Sequence, residues 1–226
     1  MKTLKMIIGA MLVLAIMWSC GDDDSSSGSK KLLSMNMQSD DVNYDNIYNF
    51  QYDDKGRLSQ LNRVGATSYA MTFNYASGNK PSTVDITGDL EGTVSFTYDN
   101  KKRITSYSFD GQTAAITYTD AGFTISGQSC TLTSNGDLAT FGTLAFSRDD
   151  SKKGPMADVK GYDALVLAIL DGGSPFFYSK KALTALTSSS DPNTSLTVAN
   201  IYSGNYPSLA TISGGNDITI TYQYSN

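Results

Sequence analysis

Three short runs of this chain copy one another. Phe50-Gln51-Tyr52, Phe73-Asn74-Tyr75 and Phe96-Thr97-Tyr98 each follow the last by 23 residues, and Ile116-Thr117-Tyr118 continues the series at a step of 20. Side chains at i and i+2 leave a strand on the same face. Phe50 and Tyr52 therefore share one face, and Asn49, Gln51 and Asp53 share the other. An aromatic face backed by a polar one is the pattern of an antiparallel sheet with one solvated side. Its fixed period marks a repeated strand–turn–strand unit.

The turns repeat as well. Tyr52-Asp53-Asp54-Lys55-Gly56-Arg57-Leu58 is matched by Tyr98-Asp99-Asn100-Lys101-Lys102-Arg103-Ile104, with Lys102 in place of the glycine. Asp and Asn favour the turn, and Gly56 can supply a positive φ. Similar alternating runs recur to the end of the chain, at 122–127, 129–133, 143–147, 195–203, 207–213 and 217–224. The pattern predicts a mainly β fold, an antiparallel up-and-down meander of roughly 12–14 strands, curved or partly closed into a barrel because flat sheets of that width are rare. One interruption stands out. Pro155 suits a first helical turn, Ala164 to Leu170 is apolar all round, and Gly172-Gly173 suits a stop. A buried helix is expected near 156–170, with a second short one near 180–186.

The start of the chain has a different character. Lys2 and Lys5 precede a 13-residue apolar run, Met6 to Trp18. Spanning a bilayer takes about 20 apolar residues, so the run has the length of a signal core instead. Ser19 and Cys20 follow where the apolar run ends, and Ser25 to Ser29 is a flexible Ser/Gly stretch. We expect a signal peptide at 1–19, a lipidated tether at 20–34 and a single β domain at 35–226. Acyl chains such as palmitate on Cys20 would anchor the chain to a membrane, at about 0.8 kcal/mol per buried CH2.

Composition excludes several chemistries. The chain has no histidine, so Ser-His-Asp and Cys-His machinery and histidine-held metals are absent. Removing Lys2 and Lys5 with the leader leaves 15 basic against 22 acidic residues, a net charge of −7. Such a chain is a poor partner for nucleic acid. Cys130 lies in a strand pattern and reads as a buried thiol. Neither a cofactor nor a metal site is expected, since Asn135-Gly136-Asp137 and Gly214 to Asp217 read first as turns.

The Tyr-Asp-x-x-Gly-Arg-Leu turn at 52–58 resembles the YD repeats of bacterial Rhs-like surface proteins. Together with Met17-Trp18-Ser19-Cys20, the F-x-Y hairpins and Tyr206-Pro207-x-x-Ala210-x-Ile212, the chain resembles a Bacteroidetes family of surface lipoproteins of unknown function. Asp22, Asp23 and Asp24 resemble the surface-export signal of such lipoproteins. The resemblance implies a porin-like meandering β fold and an outer-membrane address, lipid-anchored and facing the exterior. It implies no particular activity.

Tyr52, Tyr75 and Tyr98 are the candidate site residues, as a stacking surface for a sugar or another flat ligand. The same period of two also suits the core face of the sheet, and the sequence leaves both open. Paired carboxylates such as Asp53-Asp54 and Asp149-Asp150 are neighbours on turns, whereas glycoside hydrolysis needs two across a cleft. No catalytic residue is assigned. The expected function is a non-enzymatic binding or accessory role, with a glycan, polymer or envelope protein as partner. The alternatives are a structural or interaction protein of the outer envelope and, more remotely, a carboxylate-based hydrolase.

Overall fold

The computed structural model describes residues 29–41, 45–171, 178–215 and 217–226. The expected signal peptide, Cys20, Asp22, Asp23, Asp24 and the Gly172-Gly173 stop lie outside the described residues. Within them 16 strands close into one antiparallel barrel. In order they are β1 (Leu32–Ser39), β2 (Asn46–Tyr52), β3 (Leu58–Gly65), β4 (Tyr69–Asn74), β5 (Thr83–Gly88), β6 (Gly92–Tyr98), β7 (Ile104–Phe109), β8 (Gln112–Thr119), β9 (Gly122–Ile125), β10 (Gln128–Leu132), β11 (Leu138–Phe141), β12 (Leu144–Lys153), β13 (Lys181–Ser188), β14 (Leu196–Ser203), β15 (Tyr206–Ser213) and β16 (Ile218–Tyr224). Each strand pairs with the next, and β1 closes on β16 from Leu32 opposite Tyr224 to Ser39 opposite Ile218. Closure removes both free edges of the sheet. The count exceeds the expected 12–14, and β1 begins inside the stretch assigned to the tether.

The repeats behave as their spacing requires. Phe50, Phe73 and Phe96 point inward and are buried. Outward positions such as Asn49, Gln51, Thr72, Thr97, Thr197 and Thr221 are exposed. A ring of 16 strands encloses more room than its own side chains fill; barrels of that size otherwise leave a channel. Here the segment between β12 and β13 fills it. Met156, Val159 and Leu165 to Leu167 are all buried. Tyr178 is also buried, and meets Tyr48 and Phe50 edge-on with ring centroids 6.0 and 5.8 Å apart.

Two helix expectations need correction. The buried helix is α1 (Ala164–Asp171), eight residues long, rather than 156–170. Residues 156–163 form successive turns instead. Gly161 sits at φ +72°, and a Cβ there would lie 2.0 Å from the Asn79 carbonyl oxygen. The helix starts only where Asp163 caps it, with the Leu165 N–H donating to Oδ1 at 3.0 Å. The second helix expected at 180–186 is strand β13. Ser147 faces Ala185 and Arg148 faces Leu183, which leaves Thr184 as a bulge. The extra residue shifts the alternation, so Leu183 and Leu186 both face inward. A spacing of three on one face imitates a helix.

Candidate functional site

The two ends of the barrel differ. At one end lie Tyr52, Tyr75 and Tyr98 with the Asp-Arg turns. Asp53 Oδ1 accepts the Lys55 and Arg57 N–H groups at 3.0 and 2.9 Å, and its Oδ2 accepts Arg57 Nε at 2.7 Å. Asp99 repeats this with Lys101 N, Arg103 N and Arg103 Nε at 2.8, 2.9 and 2.8 Å. Gly56 has φ +78°, and Lys102, its counterpart, adopts φ +64°. Hydrogen bonds from Arg103 hold the Asp99 carboxyl below its ordinary range. Asp53 is lowered in the same way by Arg57, against a desolvation push upward.

The tyrosines at this rim are engaged within the chain. Tyr52, Tyr75, Tyr98 and Tyr224 donate their hydroxyls to the carbonyls of Leu32, Leu58, Pro81 and Pro207, at 2.7, 2.7, 2.8 and 2.9 Å. In each case the acceptor lies at the start of the neighbouring strand. Cations cover several of the rings. The Arg57 guanidinium lies 4.0 Å from the Tyr75 centroid, Arg103 lies 4.2 Å from Tyr118, and Lys31 Nζ lies 5.3 Å from Tyr52. Arg57-Leu58 thus grips Tyr75 twice, by ring face and by hydroxyl. The motif ties each hairpin to the next. Burial pushes the Tyr75 phenol up to about 12 and raises Tyr52 and Tyr98 further. The cavity beside Tyr75 and Tyr162 has a volume of about 20 Å³, room for a single water.

The helix runs from this rim to the opposite end. Asp163 at its start pairs with Lys80 at 2.5 Å. Asp171 at its last turn accepts the hydroxyls of Tyr69 and Tyr178, with Arg63 at 3.7 Å. Burial raises the Asp171 carboxyl, and the two hydroxyls and Arg63 oppose that rise. A second buried cluster holds the chain on both sides of the helix. Asp137 accepts the Lys180 and Lys181 N–H groups at 2.8 and 3.0 Å and faces Arg148 Nε at 3.7 Å.

Beside the far end of α1 the wall stands away and leaves a cleft of about 450 Å³. Its inner lining is apolar, from Ile86 and Val94 on the wall and Ile169 and Leu170 on the helix. At its edge Leu90 and Phe109 are 47% and 38% exposed. Gly92 makes room for Phe109, since a Cβ there would lie 2.5 Å from its ring. Asp89, Glu91 and Asp110 also line the cleft, and among the described residues no lysine or arginine does. Tyr107 and Ile169 also line an adjoining space of about 150 Å³. No sequence pattern marks this cleft, because its residues come from two hairpin tips and a helix end far apart in the chain.

Other expected features are plainly placed. Cys130 is buried, and burial pushes its thiol up. Asp149 and Asp150 lie in strand β12 rather than on a turn, and Asp149 accepts the Ser151 N–H at 2.9 Å. Among the described residues, no group of three or more His, Cys, Asp or Glu side chains could hold a metal ion.

No family model matches the chain, and no curated protein matches its sequence. Among solved structures it is similar to a porin-like protein from Bacteroides uniformis, at 10% identity and a TM-score of 0.44, over 86% of this chain and 96% of that one.

Proposed function

We propose that this chain is a non-enzymatic binding or accessory protein of the outer envelope, held to the outer membrane by acyl chains on Cys20 and facing the exterior. The single observation behind the reading is the polarity of the barrel. A membrane-spanning barrel carries an apolar outer band about 25 Å tall and a polar lumen. Here most outward positions are polar, chiefly Thr, Ser, Asn and Gln, with apolar side chains such as Ile47, Val64 and Ile201 scattered among them, while the interior holds the apolar core and a helix. Strands of four residues, such as β9 and β11, reach only about 13 Å at 3.3 Å per residue. The barrel is therefore the water-facing part, and membrane attachment falls to the leader. The rim tyrosines already spend their hydroxyls within the chain, which favours the cleft beside α1 as the binding surface.

The test is metabolic labelling with a radioactive fatty acid, followed by protease treatment of intact cells. The wild-type chain should take up label and be digested from outside, and Cys20→Ala should lose the label and leave the membrane fraction. Label retained by Cys20→Ala, or a protein shielded from external protease, would refute the lipid anchor or the outward display respectively.

A further inference from the structure

The cleft between α1 and the tips of the β5–β6 and β7–β8 hairpins has a definite chemical character. Apolar side chains line it, and two large ones, Leu90 and Phe109, remain exposed at its edge. Its volume of about 450 Å³ lies within the range of small-molecule pockets, roughly 300–1,000 Å³. The two smaller spaces beside α1 hold about 20 and 150 Å³.

Charge selects the occupant. Asp89, Glu91 and Asp110 belong to the lining, and no ion pair among the described residues joins any of them to a lysine or arginine. The C-terminal end of α1 reaches the same space through Ile169 and Leu170. Asp89 already accepts the Ser68 N–H at 2.7 Å, and an anionic headgroup at this edge would meet like charge, whereas a cation would be attracted.

We infer that this cleft binds a small cationic amphiphile, with its alkyl or aryl body against Ile86, Val94, Ile169 and Leu170 and its ammonium group among Asp89, Glu91 and Asp110. The inference deepens the binding-protein reading above and rests on it. Gly92 and Phe109 shape the mouth, and Leu90 closes over the apolar body.

The experiment is isothermal titration of the full chain carrying Cys20→Ala, so that no acyl chain competes. The probes are decyltrimethylammonium, decanol and decyl sulfate, each below its micellar concentration. A carboxylate attracts a cation more strongly beside a protein surface than in bulk water. The cation should therefore bind at least about tenfold tighter than decanol, and decyl sulfate weakest. The double variant Glu91→Gln, Asp110→Asn alters exposed hairpin tips, and Asn tolerates the positive φ of Asp110. It should bring the cation and decanol within about twofold of each other. Leu90→Ser should weaken both by a similar factor. Equal affinity for cation and anion, an unchanged preference in the double variant, or no binding of any probe overturns the inference. A dimer that Leu90→Ser dissociates would assign the cleft to a second copy and overturn it too. Loss of fatty-acid labelling leaves these titrations unaffected, so the two readings fail separately.

Discussion

The tyrosine rim makes a quantitative claim that separates a clamp from a ligand platform. Tyr→Phe keeps the aromatic face and removes only the hydroxyl. If Tyr52, Tyr75 and Tyr98 served as a stacking surface alone, the phenylalanine variants would fold as well as the wild type. In the structure each hydroxyl donates to a specific carbonyl at 2.7–2.8 Å. A net protein hydrogen bond contributes about 1 kcal/mol, and the acceptors are four different carbonyls, so the effects should add. The quadruple variant at Tyr52, Tyr75, Tyr98 and Tyr224 should lose about 4 kcal/mol. At roughly 2–4 °C per kcal/mol for a domain of this size, Tm should fall by about 8–16 °C. Tyr118 supplies the control. Its ring lies under Arg103 at 4.2 Å, but among the described residues its hydroxyl donates to no carbonyl. Tyr118→Phe should move Tm by less than about 2 °C.

The same bonds fix an alkaline response. Burial raises the phenols of Tyr52, Tyr75, Tyr98 and Tyr224 in the folded chain, Tyr75 to about 12. An unfolded tyrosine ionises near 10. Because the folded values are the higher ones, the stabilisation is complete below about pH 10 and is lost as pH rises through about 12. Chemical denaturation at stepped pH should show stability falling above about pH 10 in the wild type and falling less steeply in the quadruple variant. A quadruple variant with wild-type Tm and wild-type alkaline slope would refute the clamp and return the rim to the platform reading.

Asp137 is fully buried between two backbone N–H donors and a guanidinium whose side chain is 5% exposed. Asp137→Ala strands Arg148 without a counter-charge and should cost about 3–5 kcal/mol, read from the urea midpoint; a cost near 1 kcal/mol would show that Arg148 reaches water. Lys102 occupies a left-handed backbone position at φ 64° where its counterpart is a glycine. A left-handed side chain costs about 1–2 kcal/mol and glycine loosens the unfolded chain by about 0.4–1 kcal/mol. Lys102→Gly should then stabilise by about 0.5 kcal/mol, and Gly56→Ala should destabilise by about 1 kcal/mol, with its Cβ 3.2 Å from Lys31 Nζ. Opposite signs would mean that the two turns differ in backbone conformation.

What the sequence makes legible here is whatever is encoded locally. The period of two at Phe50 and Tyr52, the Asp-to-Arg turns and the positive φ at position 56 depend on neighbours in the chain, and each appears in the fold. The expected meander appears too, closed more fully than its alternation alone requires. The misread segments are those where tertiary contact overrides the local pattern. Thr184 bulges because β12 and β13 are held in register on both sides of it, and the bulge gives β13 an apolar spacing that looks helical. Gly161 lies against the Asn79 carbonyl, so the turns before α1 are set by a contact some 80 residues away. The tyrosines show the same limit in another form. Their period is visible, but a face that ends in hydroxyls fits a clamp and a platform equally well. For Tyr75 the Leu58 carbonyl and the Arg57 guanidinium supply the partners of a clamp, and the phenylalanine variants separate the two readings. Those contacts give the repeat a mechanical role, whatever else its aromatic face meets. A barrel of 16 short strands gains from ties between neighbours at one rim, and the other rim, where α1 ends beside Leu90 and Phe109, is the one that opens a cleft.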